Sequence, residues 1–259
     1  MLTYSRTRLV FLIASALAVL EYFLISFPWY YLLQIPILYF VIVGYGSATI
    51  SAGFFLKSIC SIDTKEKVLA LTFDDGPDPL KTPQILEILR LHNIKATFFV
   101  IGGKIKGSEE LLKQIEREGH LIANHSFSHS YFFDFYSTSK VIDDLALANR
   151  TIQEVIGKTP KLFRPPYGVT NPNIAKALKT SGLISIGWNV RSLDTVIQNA
   201  DKLYKRVISR IKPGSILLFH DTGSHTIETL KAVILFAEKN SYKTERLDQL
   251  LSIKAYEEN

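Results

Sequence analysis

The sequence predicts an α/β protein built on a parallel sheet or barrel, preceded by a helical membrane hairpin. Short apolar runs alternate with amphipathic segments along residues 67–253, as in strand-then-helix units. The 48 residues from Leu9 to Leu56 carry a single charge, Glu21. The chain after Leu56 contains 28 of the 30 basic residues and 23 of the 24 acidic residues. We therefore divide the chain into a membrane anchor (1–56), a linker (57–66), a globular head (67–253) and a C-terminal tail (254–259).

The anchor contains two stretches, Leu9–Phe27 and Trp29–Phe55, each long enough to cross a hydrocarbon core of about 30 Å as a helix. Pro28 and the aromatic residues after it predict a turn at a membrane interface. A cleaved signal peptide is the alternative, because Arg6 and Arg8 precede the first apolar run. That run is longer than a usual signal. We expect a membrane protein of the bacterial inner-membrane type, and charge alone does not fix the side that carries the head.

The elements of the head follow from hydrophobic periodicity. Val68–Phe73 is nearly all apolar, which is typical of a strand buried on both faces of a sheet. Strands are predicted at Val68–Phe73, Ala96–Ile101, His120–Asn124, Leu162–Arg164, Leu183–Val190 and Ser215–Phe219, with a short one near Thr244–Leu247. Apolar residues at helical spacing predict helices at Thr82–His92, Ser108–Glu118, Thr138–Ile156, Pro172–Ser181, Ala200–Ile211 and Glu228–Asn240.

Charge and cysteine content exclude several classes of protein. The net charge is +6, and the basic residues alternate with acids rather than forming a stripe with interleaved aromatics. We therefore expect no nucleic-acid partner. The single Cys60 excludes an intrachain disulfide and a multi-cysteine metal site. No pattern indicates a protein partner.

Polar and ionisable groups follow the apolar core of five predicted strands. In parallel α/β folds, chemistry gathers at the carboxyl ends of the strands. We expect one rim to bring these groups together: Asp74-Asp75, His125, Arg164 to Tyr167, Asn189 to Arg191, and His220-Asp221.

Two histidines and a carboxylate on that rim are suited to a divalent metal. His125 and His129 are four residues apart, so one helical turn would place them on the same face. Such a pair is often incidental when alone, but a carboxylate from another strand end completes a set that suits zinc. A metal of this kind lowers the pKa of a bound water to roughly 7. A second carboxylate could act as general base, and His220 could protonate a leaving group, although a strand-end histidine is often structural.

Four segments then resemble ordered motifs of the polysaccharide deacetylase family, also called carbohydrate esterase family four or the NodB-homology domain. The segments are Thr72–Pro77, His125–His129, Arg164–Gly168 and Leu217–Asp221. The resemblance covers about residues 66–252. It implies a distorted (β/α) barrel and metal-dependent removal of N-acetyl groups from an amino-sugar glycan. A cell-wall polysaccharide, a chitooligosaccharide-like chain or a lipid-linked sugar would suit such an enzyme.

The resemblance also implies residue roles. Asp74 would be the general base, paired with Arg164 and kept ionised by it. Asp75, His125 and His129 would hold the metal, which we expect to be Zn²⁺, with Co²⁺, Mn²⁺ or Ni²⁺ as alternatives. The remaining roles belong to residues that would touch the substrate. His220 would be the general acid, and the Tyr167 amide would donate to the oxyanion. Leu218 would line the acetyl pocket, with Pro165 beside that pocket.

One motif departs from the family pattern. In the segment after Trp188, Arg191 stands where an acid commonly tunes the catalytic histidine, and Thr195 replaces a groove-lining Trp. We expect the Arg191 cation to lower the pKa of His220, with Asp194 as a substitute partner. Arg191 and Asp194 are therefore candidate substrate-binding residues.

Three functional interpretations remain at this point. The first is a membrane-anchored N-deacetylase whose partners are an N-acetylated glycan or lipid-linked sugar and the bilayer. The second is an O-acetyl esterase, because the same metal chemistry serves esters and amides. The third is a non-catalytic, membrane-tethered glycan-binding module, supported by Arg191 alone.

Overall fold

The computed structural model describes residues 3–25 and 28–258 of the chain. The N-terminal hairpin comprises α1 (Tyr4–Ile25), a 3₁₀ turn (Trp29–Leu33) and α2 (Gln34–Ala48). Both helical segments, of 22 and 20 residues, are long and apolar enough to cross a membrane or to serve as a signal sequence. The end of the first predicted span, Ser26 and Phe27, lies outside the described residues.

The second helix is shorter than the sequence predicts. It ends at Ala48 rather than near Phe55, and Gly53 adopts a left-handed backbone with φ of 58°. The chain reverses there, which places the buried Phe54 against Gly46. The apolar residues after Ala48 therefore pack at the base of the hairpin instead of extending the span.

The head is built on eight parallel strands. They are β1 (Val68–Gly76), β2 (Thr97–Val100), β3 (Leu121–Asn124), β4 (Leu162–Phe163), β5 (Ile184–Ser185), β6 (Val190–Arg191), β7 (Ser215–His220) and β8 (Lys243–Thr244). Their order is β5-β4-β3-β2-β1-β7-β6, and β8 pairs with the start of β1. The α/β class and parallel sheet are thus confirmed.

The sheet curls into a half-barrel. β5 and β6 lie at opposite edges of the strand order, yet only Ile186–Asn189 separates them in the chain. Four residues span at most about 15 Å, so the two edges must approach each other. The predicted single strand Leu183–Val190 is wrong for this reason: the chain leaves one edge and joins the other.

The segment expected to be a linker, residues 57–66, helps to fill the gap between the edges. Ile59 forms a bridge with Ile186, and Ser61 forms one with Ser215. The C-terminal tail is also packed rather than free: Tyr256 pairs with Pro160, and its hydroxyl accepts a hydrogen bond from the Ile122 amide. Asn259 lies outside the described residues.

The helices cover the outer face of the sheet. They are α3 (Thr82–Leu91), α4 (Glu109–Arg117), α5 (Thr138–Ile156), α6 (Pro172–Ser181), α7 (Ala200–Ile208) and α8 (Thr226–Lys239). The short α9 (Leu247–Leu250) packs instead with Val68 and Ala70, on the inner face of β1. Side-chain caps start three of the helices, where Ser137, Asn171 and Asn199 each accept a backbone N–H of the first turn. The predicted strand near Thr244–Leu247 is limited to β8, because α9 begins at Leu247.

Alternation along the strands determines which residues face the barrel interior. In β1, Leu69, Leu71 and Phe73 pack among the helices. The intervening positions point inward and end in Thr72 and Asp74. The same alternation in β7 sends Leu218 and His220 inward, and the strand register pairs them with Thr72 and Asp74.

Candidate active site

A cleft of about 350 Å³ opens at the carboxyl ends of the strands. It is lined by Asp74, Asp75, His125, His129, Tyr131, Pro165, Tyr167, Gly168, Trp188, Arg191, Thr195, Leu218 and His220. Two residues expected on this rim do not line the cleft: Asn189 bonds to the Ser215 hydroxyl and the Ile216 amide at the start of β7, and Asp221 is buried and accepts a hydrogen bond from Thr82. Of the residues given a role from the sequence, Arg164 and Asp194 also lie outside the cleft lining. Those two are fully buried behind the wall and contact lining residues instead.

Asp75, His125 and His129 form the metal-ligand cluster. Oδ1 of Asp75 lies 3.5 Å from Nε2 of His125 and 3.2 Å from Nε2 of His129. The three ligand atoms lie within 4.8 Å of one another. Two imidazole nitrogens and one carboxylate oxygen, converging at the edge of an open cleft, fit a zinc-type ion with free coordination positions.

The histidine segment is not helical, contrary to the sequence expectation. Ser126 and His129 have positive φ values of 66° and 42°, as does Asp75 at 72°. Side chains hold this conformation: Asn124 accepts the amide of Ser126, and Asp144 accepts the amide of Phe127. Positive φ in non-glycine residues is costly, and three such residues at one cluster indicate a backbone shaped for its ligands.

Hydrogen bonding and burial set the charges of the cluster. Nδ1 of His125 donates to the Arg164 carbonyl at 2.8 Å, since a carbonyl can only accept, and this orients Nε2 towards Asp75 and the cleft. Burial lowers the pKa of His129 to about 4. Burial by itself would raise the pKa of Asp75, but the hydrogen bond from His125 and the charges of the histidines lower it well below its usual range. The cluster therefore offers two imidazole nitrogens and one carboxylate whose pKa is strongly lowered.

Arg164 is a fully buried cation that holds Asp74. Its Nη1 donates to Oδ1 of Asp74 at 2.7 Å and to the Thr72 hydroxyl at 2.8 Å. Its other nitrogens donate to the carbonyls of Ile186 and Gly187. The predicted strand Leu183–Val190 is interrupted at these two residues because their carbonyls point to the guanidinium. The other Asp74 oxygen, Oδ2, lies 3.8 Å from Nε2 of His125 and faces the cluster.

His220 is held by Asp194. Nδ1 of His220 donates to Oδ1 of Asp194 at 2.7 Å. Asp194 also accepts from the His220 amide and from the hydroxyls of Ser192 and Thr226. Burial by itself would lower the pKa of His220, but the hydrogen bond and charge of Asp194, with the charges of Asp74 and Asp75, raise it.

The expectation that Arg191 lowers the pKa of His220 is therefore wrong in direction. Arg191 is exposed on the cleft wall, where its guanidinium lies 5.6 Å from the centre of the Trp188 ring. The expected substitute, Asp194, is the residue that contacts His220.

Several site residues escaped the sequence analysis. Trp188 forms a wall of the cleft next to Gly168, and a Cβ at position 168 would collide with the Trp188 ring. Tyr131 stacks on Tyr167 with 6.2 Å between the ring centroids. Thr72 accepts a hydrogen bond from Arg164, which pairs with Asp74, and Thr226 donates one to Asp194, which pairs with His220. Two signals in the sequence could have identified the aromatic residues: Trp188 lies at the end of an apolar run, and Tyr131 follows the histidine motif by two residues.

Comparisons with known proteins show which family and fold this chain resembles. A family model described as polysaccharide deacetylase matches residues 61–185. A peptidoglycan-N-acetylglucosamine deacetylase of Bacillus cereus is 34% identical over 198 residues, which are 74% of this chain and 92% of the relative. The peptidoglycan-N-acetylmuramic acid deacetylase PdaA of Bacillus subtilis is 33% identical, over 73% of each chain.

Solved structures agree. The Bc1960 peptidoglycan N-acetylglucosamine deacetylase superposes with a TM-score of 0.73 and 28% identity, covering 77% of this chain and 95% of that one. A family 4 acetyl xylan esterase of Clostridium thermocellum, in complex with a cobalt ion, gives a TM-score of 0.66 and 32% identity, covering 72% of this chain and 91% of the esterase.

Proposed function

This chain belongs to the polysaccharide deacetylase family, and on that premise we propose that it removes N-acetyl groups from an amino-sugar glycan. Removal of an N-acetyl group is the activity named for its curated relatives, and a structurally similar family 4 esterase is solved in complex with a cobalt ion. The observation that supports the proposal most is the meeting of Asp74, His220 and the metal-ligand cluster in one cleft.

We assign Zn²⁺ to Asp75, His125 and His129, because two neutral imidazoles and one carboxylate suit zinc best; cobalt, manganese and nickel would also fit. When bound, such an ion supplies Lewis-acid polarisation of the acetyl carbonyl and makes hydroxide available near neutral pH.

Asp74 and His220 divide the proton transfers. Oδ1 of Asp74 is held by Arg164, so Oδ2 is the oxygen that accepts a proton from the attacking water. As water adds to the carbonyl carbon and the carbon–nitrogen bond breaks, protonated Nε2 of His220 donates to the departing amine. The products are acetate and a free amino sugar.

The remaining wall residues position the acetyl group. The 3₁₀ turn after Pro165 holds Tyr167 at a φ of 57° on the cleft wall, and we assign its backbone amide as a donor to the developing oxyanion. Leu218, only 2% exposed, faces the same space from β7 and would contact the acetyl methyl.

We also propose that α1 and α2 remain in the protein as a membrane hairpin. The Tyr4 amide donates to the Phe54 carbonyl at 2.9 Å, and Thr7 is buried at the hairpin base. These contacts join the first helix to the base of the hairpin, which itself contacts the head where the Thr170 amide donates to the Ser47 carbonyl, as expected of a retained anchor.

The test is acetate release by the full chain in nanodiscs, with N-acetylglucosamine oligomers and acetylated xylan as parallel substrates. We expect oligomer turnover that stops with chelator and returns with Zn²⁺. Turnover of xylan alone would favour an O-acetyl esterase. Release from neither by folded, metal-loaded protein would overturn the proposal in favour of a non-catalytic binding module.

A further inference from the structure

The hairpin joins the head at the rim that carries the cleft. The Thr170 amide donates to the Ser47 carbonyl at 3.0 Å, and the Ser47 hydroxyl donates to the Thr170 carbonyl at 2.7 Å. Ser47 lies in the last turn of α2, and Thr170 follows the cleft residue Tyr167 by three positions. Because α2 contacts the carboxyl-end rim, the cleft is close to the membrane end of the head.

The same rim exposes aromatic side chains. Nine large apolar side chains are exposed on the described part of the head, and six of them lie on loops at the carboxyl ends of strands: Leu80, Tyr131, Phe132, Phe135, Tyr167 and Val196. Tyr131, Phe132 and Phe135 are 86%, 70% and 83% exposed. We call Phe132 and Phe135 the aromatic rim pair.

The aromatic rim pair lies beside the hairpin base. Nδ2 of Asn171 donates to the Asp134 carbonyl at 2.7 Å, which joins the loop carrying the pair to the residue next to Thr170. Exposed aromatic rings are disfavoured in water and are enriched where a protein meets the headgroup region of a bilayer. Continuity with α2 therefore identifies the occupant of this surface as the membrane that holds the hairpin.

The cleft also contains an unpaired cation. Arg191 forms no ion pair with any described residue, although it lines the cleft and lies over Trp188. A second guanidinium is close by, because Nε of Arg206 donates to the Arg191 carbonyl at 3.2 Å. A free arginine in a substrate cleft is suited to bidentate binding of a phosphate.

We infer that the rim rests on the bilayer surface and that the substrate is an N-acetylated amino sugar joined through phosphate to a membrane lipid. The substrate part of this inference depends on the proposed deacetylase function. The aromatic rim pair would hold the cleft at headgroup depth, and Arg191 would bind the phosphate while the sugar reaches the metal-ligand cluster.

The first experiment measures membrane contact without activity. Phe135→Trp and, as matched control, Leu235→Trp on α8 are each placed in a Trp29→Phe background and reconstituted in nanodiscs of brominated phosphatidylcholine, and the emission of the background protein, which retains Trp188, is subtracted. Bromine should quench the added emission at position 135 by about half or more relative to plain lipid, and leave that at position 235 nearly unchanged. Equal quenching at both positions would overturn the bilayer-facing rim.

The second experiment compares two substrates in the same nanodiscs. One is N-acetylglucosamine linked through diphosphate to a long-chain polyprenol, and the other is a water-soluble N-acetylglucosamine oligomer. We expect kcat/KM to favour the lipid-linked sugar. Phe132→Ser/Phe135→Ser should reduce that preference by about tenfold, and Leu235→Ser should leave it in place.

Arg191→Gln should reduce the preference for the lipid-linked sugar by about tenfold, mainly through KM. N-acetylglucosamine 1-phosphate, which carries a phosphate but no lipid, is the third substrate and separates phosphate binding from lipid binding. An enzyme that turns over oligomers but shows no preference for the lipid-linked sugar would refute this inference and leave the deacetylase function standing. Absence of acetate from all three substrates would instead refute the deacetylase function, and the quenching result would then decide the docking surface by itself.

Discussion

Two histidines on either side of β1 use the same nitrogen as donor but have different acceptors. Nδ1 of His125 donates to the neutral Arg164 carbonyl, whereas Nδ1 of His220 donates to the Asp194 carboxylate. A carbonyl fixes the tautomer and leaves Nε2 as a metal ligand, and a carboxylate also favours the charged imidazolium. The acceptor behind each ring thus separates a ligand from an acid within one cleft.

The pKa shifts follow the same division. Burial lowers the pKa of His129, next to His125, to about 4, so that ring stays neutral. His220 is also buried, yet the Asp194 carboxylate raises its pKa. Both rings are buried and both lie near a carboxylate, so the opposite outcomes come from the hydrogen bond with Asp194, which raises the pKa of His220, and from the nearby His125, which lowers the pKa of His129.

The largest effect should come from removing the carboxylate ligand at the end of β1. In Asp75→Asn, the weaker amide ligand should lose the metal and reduce acetate release by at least about a thousandfold. Elemental analysis and acetate assays on the same preparation measure both. Glu110→Gln, a surface acid on α4, is the control and should keep metal and activity. Retained metal with full turnover would contradict the assignment.

Removing the acid on the β7 side should separate chemistry from metal binding. His220→Gln should keep its metal, while kcat falls by about 10²–10⁴-fold because the amine leaves without a proton donor. Loss of the metal together with the activity would show that His220 is also needed for metal binding, and would contradict the separation of ligand and acid on the two sides of β1.

Neutralising the acceptor behind His220 should change the pH profile. Asp194 raises the pKa of His220, and His220 acts in its protonated form, so Asp194→Asn should move the alkaline limb of kcat/KM to lower pH by about one unit or more. At the optimum, kcat should fall by about ten- to a hundredfold. Asp143→Asn, an exposed acid on α5, is the control. An unmoved alkaline limb would exclude Asp194 as the group that tunes His220.

The smallest effect should come from one of the donors to Asp194. Thr226→Val removes the hydroxyl that donates to Oδ2 of Asp194 at 2.6 Å and should lower kcat by about two- to fivefold. Thr229→Val, one turn along α8, is a matched control because its buried hydroxyl has no partner among the described residues. Equal losses in the two variants would indicate a packing effect rather than support of Asp194.

The sequence by itself determined the parallel α/β class, the strand ends that carry chemistry, and most of the cleft residues. Alternation along a strand is local, so the inward positions of Asp74, Leu218 and His220 follow from counting residues in β1 and β7. The four motifs by themselves also indicated the family.

Only the tertiary structure decided the features that depend on contacts between distant segments. The curl of the sheet replaced one predicted strand with two, and the carbonyls of Ile186 and Gly187 turned to Arg164. The contact of Asp194 with His220, rather than a charge effect of Arg191, depends on how the loop after β6 folds over β7. The seating of α2 on Thr170 likewise joins residues 123 positions apart, and no local pattern encodes a contact at that separation.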